Sequence, residues 1–263
     1  MDPDAPLVAM LEPCKLEGFR PGAPRHQQPA SVPTLFVDAM DVRQRVFVQE
    51  QKVPVENEFD ADDSRSCHWV VYSRFDHHKH GGQEMLPVGT IRLVPFPHEP
   101  HPEVNGRYWN GVLEGPEETS AQVQMASGSP KVDRSTSFHD GKEPYVKLGR
   151  LAVVREFRGK GLAGLLVGSA LRWIMANPSF FDSTLSLQRA DGLAEARPLD
   201  APKWNGLVCA HAQQQAAGAW TKWGFQVDEV MGNWWEEGIP HVGMFQRLQM
   251  EIDEARDSRL WPA

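Results

Sequence analysis

Apolar positions along the chain fall into short runs separated by polar, proline-rich stretches. Phe36, Met40, Arg43, Phe47 and Glu50 recur at helical intervals with Val46 beside them, which predicts an amphipathic helix over 35–51. Two short apolar runs follow, HWVVYS at 68–73 and VGTIRLV at 88–94, with Gly81-Gly82 between them as a hairpin turn. Leu148–Val154 reads as a strand. Leu162, Leu166, Ala170 and Trp173 then form one helical stripe that Asn177-Pro178 ends. Gly206–Ala212 is a buried strand, Gln213–Trp223 an alanine- and glutamine-rich helix capped by Gly224, and 225–230 and 242–248 are strands.

Other stretches lack a period. Residues 1–33 are expected to form an irregular arm, 95–143 and 178–205 long insertions, and 251–263 a charged tail, around a single domain at 34–250. The element order is α, β, β, insertion, β, α, β, α, β, β. It predicts an α/β fold with a mixed, partly antiparallel sheet.

The strongest chemical signal lies at 147–163. The strand Leu148–Val154 leads straight into Arg158-Gly159-Lys160-Gly161-Leu162-Ala163, and a helix follows with Gly164 in its first turn. Glycine-rich turns at a helix start direct unpaired N–H groups and the positive end of the helix dipole toward one point, which suits phosphate. Arg158 and Lys160 add charge. A Walker loop, GxxxxGK followed by Ser or Thr, is absent. The segment fits Arg-x-x-Gly-x-Ala. Leu151, Ala152 and Val153 end the strand beside this nest, so their backbone groups lie close to any anion it holds.

Composition narrows the partners. The formal net charge is −8 and no basic run occurs, so a nucleic-acid groove is not expected and a cationic small molecule suits the surface better than an acidic one. Three cysteines give no disulfide framework and suit a reducing compartment. No stretch reaches 18 apolar residues, and the acidic, proline-broken N-terminus lacks a signal-peptide pattern, so a cytoplasmic location without membrane contact is expected. His77, His78, His80, His98 and His101 read as solvated loop histidines. With no HxxxH or paired CxxC, no metal site is expected.

Arg158 to Ala163 resembles the pyrophosphate loop of the Gcn5-related N-acetyltransferases, the GNAT superfamily. Arg43-x-x-Val46-Phe47-Val48-x-Glu50-Gln51-x-x-Pro54, then Asp60, Asp63, His68 and Gly89-x-x-Arg92, resembles its ElaA-like branch. So do Trp223-Gly224-Phe225 and Glu236-Glu237-Gly238-Ile239-Pro240-His241-Val242-Gly243-Met244. The similar segments cover about 34–94 and 145–250. The insertion at 95–143 has no counterpart in the short bacterial members, which makes the chain look more like a fungal relative. The resemblance implies the GNAT fold, a mixed, mostly antiparallel central sheet flanked by helices. It implies acetyl-CoA as donor, with pantetheine in a V-shaped gap between strands 145–153 and 206–212 and diphosphate on the loop 156–164. It also implies direct attack by a primary amine of a small molecule, with no covalent enzyme intermediate. Dimers are common in the superfamily, so a homodimer is an expectation.

Two departures bear on chemistry. Where the family often has Asn-x-x-Ala-x-x-x-Tyr, this chain has Gln213-x-x-Ala216-x-x-x-Trp220. Gln213 is shared with the ElaA-like branch. Trp220 replaces the tyrosine that usually protonates the coenzyme A thiolate, and an indole cannot release a proton at a useful pKa. The acceptor ammonium must also lose a proton before attack. Candidates for that work are Asp60, Glu236 and Glu237 as carboxylates and His241 and His211 as imidazoles, a group whose ordinary pKa lies in the working range. Alternatives to amine acetylation are an amino-sugar acetyltransferase of the glucosamine-6-phosphate type, and a coenzyme A-binding protein with weak catalysis.

Overall fold

The computed structural model describes residues 5–76, 83–115, 133–181 and 203–249. The expected turn at Gly81-Gly82, most of the 178–205 stretch, the middle of the 95–143 insertion and the C-terminal tail lie outside these residues. The elements run β1 (Leu7–Leu11), α1 (Thr34–Arg43), β2 (Cys67–Asp76), β3 (Gln83–Val94), β4 (Arg107–Trp109), β5 (Val112–Leu113), β6 (Val146–Val153), α2 (Leu162–Ala176), β7 (Leu207–Gln213), α3 (Ala217–Lys222), β8 (Gln226–Val227), β9 (Asn233–Glu236) and β10 (Ile239–Arg247). A π-helical segment, Gln44–Glu50, prolongs α1. The strands form one mixed sheet in the order β1-β2-β3-β6-β7-β10-β9-β4-β5, with β8 also on β10. Only β6–β7 and β4–β9 are parallel among the described pairs. Among the described residues no helix is long and apolar enough to cross a membrane.

Alternation along the strands separates two faces. On one, Trp69, Ile91, Leu93, Val146, Leu148, Val208, Ala210 and Met244 pack with Leu162, Leu166, Val167 and Ala170 of α2. Trp173 of α2 meets Trp69 edge-on at 5.7 Å. On the other face, His68 meets Phe36 of α1, and Tyr145, Cys209 and Phe245 pack with Met231 and Trp234.

Several boundaries differ from expectation. The arm at 1–33 supplies β1, which pairs antiparallel with β2, and buries Leu16 and Val32 against α1. The insertion supplies β4, which pairs with β9. The helix expected from Gln213 begins later, because Gln213 still pairs with His241 in the sheet. Of the histidines expected in solvent, His101 is buried beside His139, His98 is half-buried and stacks on Tyr145 at 4.6 Å, and His77, His78 and His80 lie outside the described residues.

A buried ion network ties α1 to the sheet. The Arg43 guanidinium donates to Glu58 Oε1 at 2.6 Å, to Asp63 Oδ1 at 2.6 Å and to the Glu58 carbonyl. Arg92 donates to Asp63 Oδ1 at 2.8 Å and to both oxygens of Asp60 at 2.6 and 3.0 Å. Arg150 donates to Asp60 Oδ2 at 3.0 Å and lies 3.3 Å from Glu58 Oε1. Burial would raise the Asp63 carboxyl, but the Arg43 and Arg92 charges hold it well below the usual carboxylate range. His68 Nε2 donates to the Asp63 carbonyl at 2.9 Å.

Burial pushes His68 down to about 4, against the opposing pull of that carbonyl bond and the Asp63 charge. A histidine lowered on folding stabilises fully above its unfolded value of about 6.5, and that contribution is lost as pH falls from there through the folded value. We therefore expect the unfolding free energy to drop by about 3 kcal/mol more between pH 6.5 and 4 in the wild type than in His68→Gln. Urea unfolding at several pH values measures this, and parallel pH dependences would disprove it.

Candidate functional site

The sheet opens where β6 meets β7. Their parallel pairing is confined to Val146↔Val208, Lys147↔Cys209 and Leu148↔Ala210. Beyond Leu148, β6 stays paired with β3 through Ala152 and Val153, and β7 stays paired with β10 through Gln213. Gly149–Val153 and His211–Gln213 thus part as a gap with an unpaired backbone edge on each wall. A bulge helps β6 turn away: the register to β3 slips between Gly149 and Ala152, and Arg150 sits at φ 51°. Gly89 lets β3 follow, since a Cβ there would lie 3.1 Å from the Ala152 carbonyl oxygen and 2.9 Å from Val71.

The glycine loop closes the same end. Gly159 and Gly161 adopt φ 76° and 77°, a region that favours glycine. Among the described residues no backbone bond is made by the N–H groups of residues 159–164, and the first helical bond runs from Leu165 N–H to the Gly161 carbonyl at 3.0 Å. Gly159, Lys160, Gly161, Leu162, Ala163 and Gly164 therefore present a run of N–H groups free of backbone acceptors, whereas the Arg158 N–H is taken by the Arg155 carbonyl at 3.2 Å. The charges of this nest are arranged differently from expectation. Arg158 makes a two-pronged ion pair with Glu50 at 2.7 Å to each oxygen and donates to the Val153 carbonyl at 2.9 Å. The bond from Arg158 holds the Glu50 carboxyl below its ordinary value. Lys160 Nζ lies 4.6 Å from the Phe157 ring centre. A cavity of about 310 Å³ opens between Arg45, Val46, Gln49 and Glu50 on one side and Val154, Arg155 and Glu156 on the other.

Gly159, Gly161 and Gly164 also stand at G-x-G-x-x-G spacing, the dinucleotide fingerprint. That reading needs an acid about 20 residues on, at the end of the next parallel strand. Here that strand, β7, ends His211-Ala212-Gln213, with no carboxylate.

At the other wall, Gln213 and Gln51 exchange amide hydrogen bonds of 2.8 and 3.2 Å, linking the end of β7 to the helix leaving α1. Trp220 is buried, with its ring 4.9 Å from Phe225 and 5.5 Å from Trp223. It belongs to the core beneath the gap.

The candidate proton-transfer residues fall into two groups. His211, Glu236 and His241 come together around Trp234. His211 Nδ1 lies 3.5 Å from Glu236 Oε1, which accepts the Trp234 indole N–H at 2.7 Å. The His211 and His241 rings lie 4.8 and 6.1 Å from that of Trp234. Burial would raise the Glu236 carboxyl, but the His211 contact, the His241 charge and the indole bond hold it well below the usual carboxylate range. Burial pushes the His211 ring down, opposed by Glu236, and His211 Nε2 is buried with no hydrogen-bond partner among the described residues. His241 Nδ1 is bonded to the Ile239 carbonyl at 2.9 Å. Asp60 and Glu237 stand apart. Asp60 is engaged by Arg92 and Arg150. Burial would raise its carboxyl, but the two arginine charges lower it overall. Glu237, in the β9–β10 turn, accepts the Asn57 amide at 3.1 Å and the Asn110 N–H at 2.7 Å. Both carboxylates hold loops. Sequence reasoning missed Trp234, although its place two residues before Glu236 on an alternating strand puts both on one face.

No family model matches the sequence. Solved structures are similar at low identity. Escherichia coli ElaA is 16% identical, covers 92% of this chain and 100% of its own, and superposes with a TM-score of 0.44. An acyl-CoA N-acyltransferase from Pseudomonas aeruginosa is 18% identical, with coverages of 80% and 89% and a TM-score of 0.39. FeeM, an N-acyl amino acid synthase from uncultured soil microbes, is 9% identical, with coverages of 98% and 96% and a TM-score of 0.44.

Glu236 opposes the burial shift at His211, so Glu236→Gln should lower the His211 titration midpoint further. Ring-proton NMR of the assigned histidines reads this directly. An unmoved midpoint would show that the two side chains do not interact in solution.

Proposed function

We propose that the chain is a GNAT-type acyltransferase of the ElaA-like kind, moving an acyl group, acetyl in the simplest case, from coenzyme A to a primary amine. The observation that carries this reading is the parting of β6 and β7 directly above an uncapped, glycine-started α2. An unpaired strand edge suits the amide-rich pantetheine arm, and the donor nest suits the diphosphate. The residues present fit the group: a Cβ built on Gly159 or Gly161 meets no neighbour within 4 Å, so the loop is open to a ligand.

The chain's own groups then divide the work. N–H groups at 159–164 hold phosphate. The freed edge at Leu151–Val153 orients the thioester and polarises its oxygen. His211 takes the ammonium proton at Nε2, with Glu236 facing Nδ1 to orient the ring and stabilise the imidazolium that forms. Because burial keeps His211 neutral at neutral pH, it is present as the free base. Glu237 and Asp60 position the loops around the acceptor. Direct transfer fits the cysteines: burial pushes the thiols of Cys67 and Cys209 far up, so neither offers a thiolate. Burial likewise raises Tyr145. With Trp220 in the core, coenzyme A departs as thiolate, which is stable enough to leave given an ordinary thiol pKa of about 8.5, and the proton that the attacking nitrogen sheds on forming the amide passes to that thiolate.

Trp220 favours a second reading, a coenzyme A-binding protein with little turnover. Thiol release across an amine panel separates the two: turnover with any amine supports the enzyme, and tight coenzyme A binding without turnover supports the other.

Gly161→Glu should lower coenzyme A affinity by about 100-fold or more, through lost charge-assisted bonds and repulsion. Glu50→Gln should tighten binding by about two- to fivefold, since it frees Arg158 from a partly exposed ion pair. Calorimetry on the folded variants measures both, and unchanged affinity in both would remove the phosphate seat from this loop.

With His211 as base, kcat/KM for the best amine should fall as pH drops through a midpoint below about 6.5. His211→Gln should lose that acid limb together with about 10²–10⁴ of rate. A limb that survives in His211→Gln and vanishes in His241→Ala would move the base to His241.

A further inference from the structure

The insertion brings together a cluster that the proposed transfer chemistry does not use. His101 follows β3, and Asp133 and His139 precede β6. His101 Nε2 lies 2.9 Å from His139 Nδ1 and 3.4 Å from Asp133 Oδ2, and His139 Nδ1 lies 4.0 Å from the same oxygen. We propose that His101, Asp133 and His139 form a binding site for a divalent cation of the zinc class that staples the two ends of the insertion onto the sheet.

Four features of the cluster support a metal over a hydrogen-bonded trio. The first is spacing. Bonds of about 2.0–2.1 Å at tetrahedral angles place ligand atoms about 3.3 Å apart. The three separations, 2.9, 3.4 and 4.0 Å, bracket that value, so changes of about 0.4–0.7 Å in two of them seat an ion. The second is the tautomer of His139. Its Nε2 lies 2.8 Å from the Glu143 carbonyl, to which it can only donate, so Nδ1 carries the lone pair. A ring N–H given to a backbone carbonyl is the usual support of a metal-binding histidine. The third is Asp133. Its Oδ1 accepts the N–H groups of His101 at 2.8 Å and Arg134 at 2.9 Å, which leaves Oδ2 beside the imidazoles with no hydrogen bond among the described residues. The fourth is rigidity. His101 stacks on Tyr145 at 5.4 Å, the His139 ring meets it edge-on at 5.0 Å, and both rings contact Phe245.

Two imidazoles and one carboxylate suit zinc, with water as a fourth ligand on the Asp133 side, where that side chain keeps 13% exposure. Motif spacing hides the site because His101 and Asp133 are 32 residues apart. An ion here would fix the ends of the insertion, which Arg134 already ties to the Pro102 and Met231 carbonyls at 2.8 and 2.7 Å.

The test is zinc binding by the full chain after chelator stripping, read by competition with a chromophoric chelator. Co(II) absorption reports the geometry and a melting curve reports the coupling to folding. Asp133→Asn keeps an acceptor for the two N–H groups and removes the anionic ligand. It should weaken zinc binding by about 10- to 100-fold, and His139→Gln by at least as much. The wild type should bind one equivalent, show the intense visible bands of four-coordinate Co(II), and melt several degrees higher with zinc. Because His77, His78 and His80 cluster in the sequence, their triple Gln variant is the control and should bind as the wild type does. Binding to the stripped wild type weaker than about 1 µM would overturn the proposal. So would binding lost in the triple variant but kept in Asp133→Asn, which stays informative if His139→Gln fails to fold.

Discussion

The geometry of the gap depends on the ion network around Arg43. Three guanidinia, Arg43, Arg92 and Arg150, face three carboxylates, Glu58, Asp60 and Asp63. The Arg43 and Asp63 side chains are almost wholly removed from solvent, at 1% and 0% exposure. Burying such charges is costly, and the cost is offset only when each is matched and bonded. Removing one partner strands the rest, typically at about 3–5 kcal/mol. The network is therefore weak as a source of net stability and strong as a constraint on position. It fixes α1, the 55–65 loop and β3 at separations that only one arrangement satisfies.

Arg150 carries that constraint into the site. A non-glycine residue in the left-handed region costs about 1–3 kcal/mol and persists only where its surroundings over-determine it. Its guanidinium is held by Asp60 and faces Glu58, so the bulge that frees the edge of β6 is braced from the side. One chain of cause runs from a buried arginine in the first helix to an opening in the middle of the sheet. Glu50 and Gln51 extend the same helix to the loop and to β7, where they meet Arg158 and Gln213. The helix leaving α1 thus touches both walls of the gap and the nest at its end.

That chain explains what the sequence made legible. Strand β6, helix α2 and the glycines between them follow from local rules of period and turn chemistry, so their boundaries come within a residue or two. The residues of the N-terminal resemblance, Arg43, Asp60, Asp63, His68 and Arg92, stand out as a pattern, but their meaning is collective. Only the fold shows that all five meet in or against one network. Contacts between distant segments left no periodic trace. β1 is a five-residue strand in a proline-rich stretch, and β4 pairs with a strand more than a hundred residues away. His98 and His101 read as solvated because the prolines around them signal a loop, and their packing on Tyr145 and Phe245 is tertiary. Trp220 was legible as a departure from the family pattern, though not as a core side chain.

The second face of the sheet gives the insertion a physical reason. α2 and its neighbours cover one face of β6, β7 and β10. The other presents Tyr145, Cys209, Phe245 and Trp234. An apolar sheet face must be covered, and α1, on the same face, lies against His68 of β2 and leaves this cluster to other segments. The insertion covers it with short strands and ring stacking. Arg134 reaches the Val230 and Met231 carbonyls, and the Asp228 carboxylate takes the N–H groups of Ser137 and Phe138. Tyr108, half-buried, packs against the cluster that holds Trp234. Since Trp234 also holds Glu236, and Glu236 faces His211, the packing of the insertion reaches the candidate base through one indole. Changes in the insertion are thereby felt at the site through Trp234 and Glu236.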